Sequence, residues 1–94
     1  MVIVTCTVVL ELHAVFSLKD KRSVVRYITK RLPRQFNVAV AEVDDQNVWR
    51  SSIIGIVGVG NDTGYLHGMM EKAVAWIEQQ RPDCEIVDYS IEFR

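Results

Sequence analysis

Ser17-Leu-Lys-Asp-Lys-Arg-Ser-Val-Val-Arg-Tyr-Ile-Thr-Lys-Arg-Leu32 reads as one basic, amphipathic helix, and its place between two alternating segments decides the fold. Ser17 is a good N-cap, and Asp20 three residues on completes a capping-box-like pattern with Asp in the place of Glu. At 100° per residue, Leu18, Val24, Val25, Ile28 and Leu32 share one face, while Lys19, Arg22, Arg26 and Lys30 line the opposite one. Pro33 predicts the end of the run, because it lacks the N–H for an i−4 bond and disfavours helical dihedrals at Leu32. Lys21 breaks the pattern by projecting into the middle of the apolar face. The ordinary expectation is that its stem lies along the core edge and its amine reaches out to water. The sharper one is a partly buried ion pair.

The flanks of this helix alternate with period two, which marks strands. Before it, Val2–Leu12 has apolar residues at every even position and a mixed set, Ile3, Thr5, Thr7, Val9 and Glu11, at the odd ones. After it, Gln35–Val43 places Phe36, Val38 and Val40 on one face, and Asp44-Asp-Gln-Asn47 is a polar turn. Val48–Gly60 predicts a third strand that is apolar on both faces. Asp62 or Thr63 caps a second helix running to about Gln80, with Leu66, Met69, Met70, Ala73, Val74 and Ile77 on its inner face and Pro82 behind it. Cys84–Arg94 closes as a strand, with Val87, Tyr89, Ile91 and Phe93 predicted on one side and Asp88, Ser90 and Glu92 on the other. The order βαββαβ predicts a ferredoxin-like α+β sandwich, a four-stranded antiparallel sheet with both helices on one face. Helix and strand ends then bring Lys21 and Glu42 to the same edge, so Glu42 is the expected partner of the inward lysine.

Ninety-four residues predict one domain, spanning 1–94. No apolar run reaches the length of a membrane span, and Met1–Leu10 lacks the basic start and cleavage site of a signal peptide. Cys6 and Cys84 are far apart and lack metal-ligand or C-x-x-C spacing, so they read as buried thiols of a cytoplasmic protein. A disulfide between the terminal strands is the minority reading. The net charge of −1 hides a split: residues 19–34 hold seven basic residues against one acidic, a balance of +6, and the remainder balances at −7. Such a surface attracts an acidic partner to one side only, although most charged helix faces are simply solvated.

The Ser17–Arg22 motif, taken with Leu10-Glu-Leu-His13, Phe36-Asn-Val-Ala-Val-Ala-Glu-Val43 and Trp49, resembles the YlxP-like family of small bacterial proteins. The pieces occur in the family's order and cover essentially the whole chain. The resemblance implies a ferredoxin-like fold, a cytoplasmic location and a gene setting among translation and ribosome-maturation factors. It implies no activity, so no catalytic residue is carried over.

The residues themselves argue against several chemistries. Gly58-Val-Gly60-Asn-Asp-Thr-Gly64 is one residue off the dinucleotide fingerprint and is followed by no lysine, so it is neither that motif nor a P-loop. Gly55-Ile-Val-Gly58 is apolar and lies in a strand, unlike an RNA-clamping G-x-x-G loop. Neither central strand, Val2–Leu12 or Ser51–Gly60, offers an aromatic residue for base stacking. His13-Ala-Val-Phe16 has neither the glycines nor the arginine of an acylphosphatase loop. His13 and His67 fall at opposite ends of the sheet. Glu11, Glu42, Asp44 and Asp45 gather at one end, where carboxylates can bind a metal or move protons, but pairing of Glu42 and a turn role for the Asp pair explain them better. No cofactor, metal or catalytic residue is expected.

What remains is a binding module. The first reading is contact with the phosphates of RNA or the ribosome through Lys19, Arg22, Arg26, Lys30 and Arg34. The second is docking of an acidic protein on the same helix, and the third an enzyme for a small phosphorylated substrate. A homo-oligomer is also expected, with Ile3, Thr5, Thr7 and Val9 in the interface, because the sheet face away from the helices would otherwise leave aliphatic surface in water.

Overall fold

The computed structural model describes residues 1–94. The elements run β1 (Val2–Leu12), α1 (Leu18–Gln35), β2 (Ala39–Asp44), β3 (Ser51–Gly60), α2 (Thr63–Gln80) and β4 (Cys84–Phe93). All strand pairs are antiparallel in the order β2-β3-β1-β4, the ferredoxin-like arrangement. β1 and β3 are central, and the two helices cover one face, α1 over β2 and α2 over β1, β3 and β4. No helix is long and apolar enough to cross a membrane.

The period-two pattern of β1 sorts as its residues predict. Val4, Cys6, Val8, Leu10 and Leu12 are buried under the helices, and Ile54 and Ile56 of β3 join them. From above come Val24, Ile28 and Leu32 of α1 and Leu66, Met70, Ala73, Val74 and Ile77 of α2. Gly58 makes room for this packing: a Cβ there would stand 2.8 Å from Met69 Cε, the flexible end of that side chain, and 3.3 Å from Val4 Cγ1. The caps follow the sequence. Ser17 Oγ accepts from the Asp20 N–H at 3.1 Å, the Asp20 carboxylate accepts from Phe16 N–H at 3.1 Å, and Asp62 caps α2 by accepting from Tyr65 N–H.

Four sequence expectations need correction. Pro33 does not end α1, which continues to Gln35 with the proline inside its last turn. So near the terminus it removes a single i−4 bond, and the Phe36 N–H still closes on the Leu32 carbonyl at 3.1 Å. The middle strands start late, at Ala39 rather than Gln35 and at Ser51 rather than Val48. Val87 does not continue the Tyr89, Ile91, Phe93 row: the β1–β4 register shifts there, Leu10 pairing with Ile86 and Val9 with Asp88, so Val87 is the extra residue of a bulge. Lys21 does not reach solvent either; its side chain is 1% exposed.

The other sheet face is uncovered. It carries Ile3, Thr5, Thr7 and Val9 of β1, and Ile53, Gly55, Val57 and Val59 of β3, with Val57 and Val59 45% and 51% exposed. A second register shift in β2 sets Val43 outside the ladder and over Gly55, where a Cβ would lie 2.8 Å from Val43 Cγ1.

Candidate anion-binding surface

Helix α1 separates its cations by face. Lys21 points inward, with Nζ 3.0 Å from Glu42 Oε2 and donating to the Asp45 carbonyl as well. Glu42 Oε2 also accepts from Ser52 Oγ at 2.6 Å, a hydroxyl buried on the neighbouring strand. Asp45 holds a positive φ of 62°, and its carboxylate accepts from Ser51 Oγ at 2.8 Å. The inward lysine therefore ties the start of α1 to the β2–β3 turn, with its charge matched by a carboxylate and a backbone dipole.

The outward cations are arranged differently. Lys19, Arg22, Arg26, Lys30 and Arg31 line one shallow groove with Ser23 and Tyr27. Arg22, Arg26 and Lys30 also border a second groove that descends past Thr29 towards Glu42, so they stand on the ridge between the two. None of the outward cations of α1 forms an ion pair; of the helix's basic residues, Lys21 alone does. From Lys19 to Lys30 the stripe extends about 16 Å along the axis. Arg34, the fifth residue of the sequence reading, sits in the last turn outside both grooves, and Arg31 takes its place.

Arg31 joins the groove beside Tyr27, four residues earlier on the same helix, a spacing that could have revealed it. Its guanidinium lies 4.6 Å from the Tyr27 ring centroid, and that of Arg81 lies 5.1 Å from the same ring. Trp76 of α2 stacks on Tyr27 with centroids 6.3 Å apart and planes 19° from parallel. Tyr27 O–H donates to Gln80 Oε1 at 3.2 Å. The one aromatic ring in the groove is thus already engaged, and the groove presents charge and donors rather than a free stacking platform.

Elsewhere the structure divides what the sequence grouped. Of the four carboxylates expected together, Glu42 faces the helices, Asp44 ends β2 and Asp45 begins the turn, where Asp44 Oδ1 accepts from Asp45 N–H at 2.8 Å. Glu11 lies on the open face, directly across from Glu85 of β4. His13, two residues along, places Nε2 2.9 Å from Glu85 Oε1. Glu11, His13 and Glu85 together bring three metal-ligating atoms within 4.8 Å of one another, all on exposed residues. Sequence reasoning missed this trio because only the β1–β4 register reveals Glu85 as a neighbour. His67 is at the far end, 3.7 Å from Glu71 on its own helix. The thiols lie six register positions apart along β1, since Cys84 pairs with Leu12, so they are about 20 Å apart and cannot form a disulfide.

Residues 3–91 match the family described as "Protein of unknown function (DUF503)". The chain belongs to this DUF503 family. A member-like relative, "Uncharacterized protein YlxP" of Bacillus subtilis (strain 168), is 31% identical over 62 residues, covering 66% of this chain and 67% of that protein. The YlxP-like resemblance read from the Ser17–Arg22 motif therefore holds. The DUF503 assignment brings no activity with it, so the function is argued from the surface.

Proposed function

We propose that this protein is a non-enzymatic module that binds a polyanion, RNA first among them, along the outward stripe of α1. One observation carries the reading: Lys19, Arg22, Arg26, Lys30 and Arg31 share a groove and none is neutralised by an acidic side chain. The cations of a merely solvated helix face commonly find i±4 carboxylates, and this helix has only Asp20, which is spent on its own cap. A stripe of about 16 Å matches the axial rise of about five phosphates in a nucleic-acid strand. Because Tyr27 is covered, recognition runs through phosphate and is indifferent to base sequence. The setting among translation factors implied by the family resemblance makes ribosomal RNA the first polyanion to try.

Salt titration of binding to a single-stranded RNA tests this. Four phosphate contacts give a log–log slope near −3, and replacing Arg22 and Arg26 by Ser is expected to flatten it to about −1.4. Absence of RNA binding at low salt ends the RNA reading and leaves the acidic protein as the occupant of the stripe.

A further inference from the structure

We infer that Glu11, His13 and Glu85 hold a divalent transition-metal ion, zinc the first to try, where the end of β1 meets the start of β4. The site uses no residue of the α1 stripe, so it stands apart from the RNA reading. Its donors are one imidazole nitrogen and two carboxylates, a set that suits zinc better than magnesium or calcium, which take oxygen ligands. Three bonds of about 2.1 Å place their donor atoms about 3.0–3.4 Å from one another in octahedral or tetrahedral coordination. His13 Nε2 and Glu85 Oε1 already stand 2.9 Å apart, and all three donor atoms lie within 4.8 Å of one another. A change of side-chain torsion at Glu11 closes the remainder, since that residue is exposed. The exposure of all three leaves the ion's other positions to water, as in accessible zinc sites with three protein ligands.

Two features of the sheet point to a cation rather than to a chance gathering of exposed groups. The first is the bulge at Val87. Val9 pairs with Asp88 and Glu11 with Glu85, two steps along β1 against three along β4. Without the extra residue Glu85 would fall opposite Leu12, which is buried under the helices. The bulge therefore sets Glu85 across from Glu11 and on its face, the re-aiming for which bulges recur beside functional sites. The second feature is charge. Like charges directly opposite each other on a ladder are destabilising. Glu11 forms no ion pair, and the one ionic partner of Glu85 is His13. With the imidazole neutral, the site carries the two negative charges of its carboxylates, which a divalent ion cancels. The ion also joins His13 and Glu85, 72 residues apart in the chain, so its binding stabilises the fold by mass action.

Isothermal titration of the full chain with zinc chloride in a non-coordinating buffer tests this. One ion per chain is expected, with a dissociation constant in the micromolar range. Glu11→Gln and Glu85→Gln keep the size of each side chain and remove its charge. Each is expected to weaken binding at least about tenfold, with an unchanged circular dichroism spectrum. Proton NMR reads the imidazole directly, because the chain has two histidines. Zinc is expected to shift the ring signals of His13 and to leave those of His67 in place. The melting temperature is expected to rise with zinc in the unsubstituted chain and not in His13→Ala. Absence of heat and of any ring shift up to millimolar zinc overturns the proposal. So does a shift of His67 instead, or binding undiminished by Glu11→Gln or by Glu85→Gln, because the ion would then sit elsewhere. Displacement of zinc by an equal concentration of magnesium overturns it too, since the imidazole would then play no part.

Discussion

Lys21 and Arg22 are neighbours in the chain and opposites in the fold. Lys21 is sealed between α1 and the sheet, held by Glu42 and the Asp45 carbonyl. Arg22 stands on the ridge between two grooves and forms no ion pair. Both belong to one basic run, and a turn of 100° separates a cation that holds the fold together from one that is free to meet a ligand. The run's charge says nothing of this; the face does. Lys21 is confined by partners that β2 and β3 supply, whereas its neighbour is left without them.

The largest expected effect comes from breaking the buried side of that contrast. Glu42→Ala strands the Lys21 ammonium, and urea unfolding is expected to show a loss of about 3 kcal/mol. Replacing both groups, Lys21→Met with Glu42→Leu, should recover most of that loss, because the cost lies in the unpaired charge rather than in the pair's absence. A double variant as unstable as Glu42→Ala would show instead that the Asp45 contact matters more.

A second experiment sharpens the contrast with buried groups whose charged form is disfavoured above all by burial. Burial pushes the Cys6 thiol up to about 11, with Glu71 adding to it, and pushes the Cys84 thiol up to about 11 with help from Asp83 against the opposing Arg81. Both folded values lie above the ordinary 9.0. The folded state therefore holds these protons more tightly than the unfolded one. The thiols' contribution to stability is complete below pH 9 and lost as pH rises from about 9 towards about 11. A thiol reagent at pH 8 is expected to leave both cysteines unmodified until denaturant is added; prompt labelling of the folded protein would contradict it.

The smallest effect belongs to the exposed stripe. Arg22→Ser and Arg26→Ser should each change unfolding free energy by no more than about 0.5 kcal/mol. Urea denaturation checks this, and a larger loss would mean that the stripe supports the fold.

Much of the fold is legible in the sequence because its signals are local. Even positions of β1, the faces of both helices and the Ser17 and Asp62 caps all follow from spacing and side-chain chemistry. What is hidden depends on register. Nothing near Val43 or Val87 in the chain announces an extra residue; each bulge exists only relative to a partner strand. Pro33 misleads because the loss of its one i−4 bond does not stop a helix whose last turn is still closed by the Phe36 N–H on the Leu32 carbonyl. The stripe itself is visible as periodic charge. The i, i+4 spacing of Tyr27 and Arg31 is visible too, whereas the cluster of Tyr27, Trp76 and Arg81 is not, since it meets only across the helix pair.

The central position of β1 has a consequence for how the protein is made. β1, synthesised well before β3 and β4, is flanked by β3 on one side and β4 on the other, with Val4 paired to Phe93. So until β4 has emerged, β1 offers an unpaired edge, and the contacts that finish the sheet are among the most distant between its elements. Such long closures slow folding and leave a nascent chain open to mispairing. Truncation within β4 would accordingly remove a neighbour of the innermost strand, not an ornament at the rim.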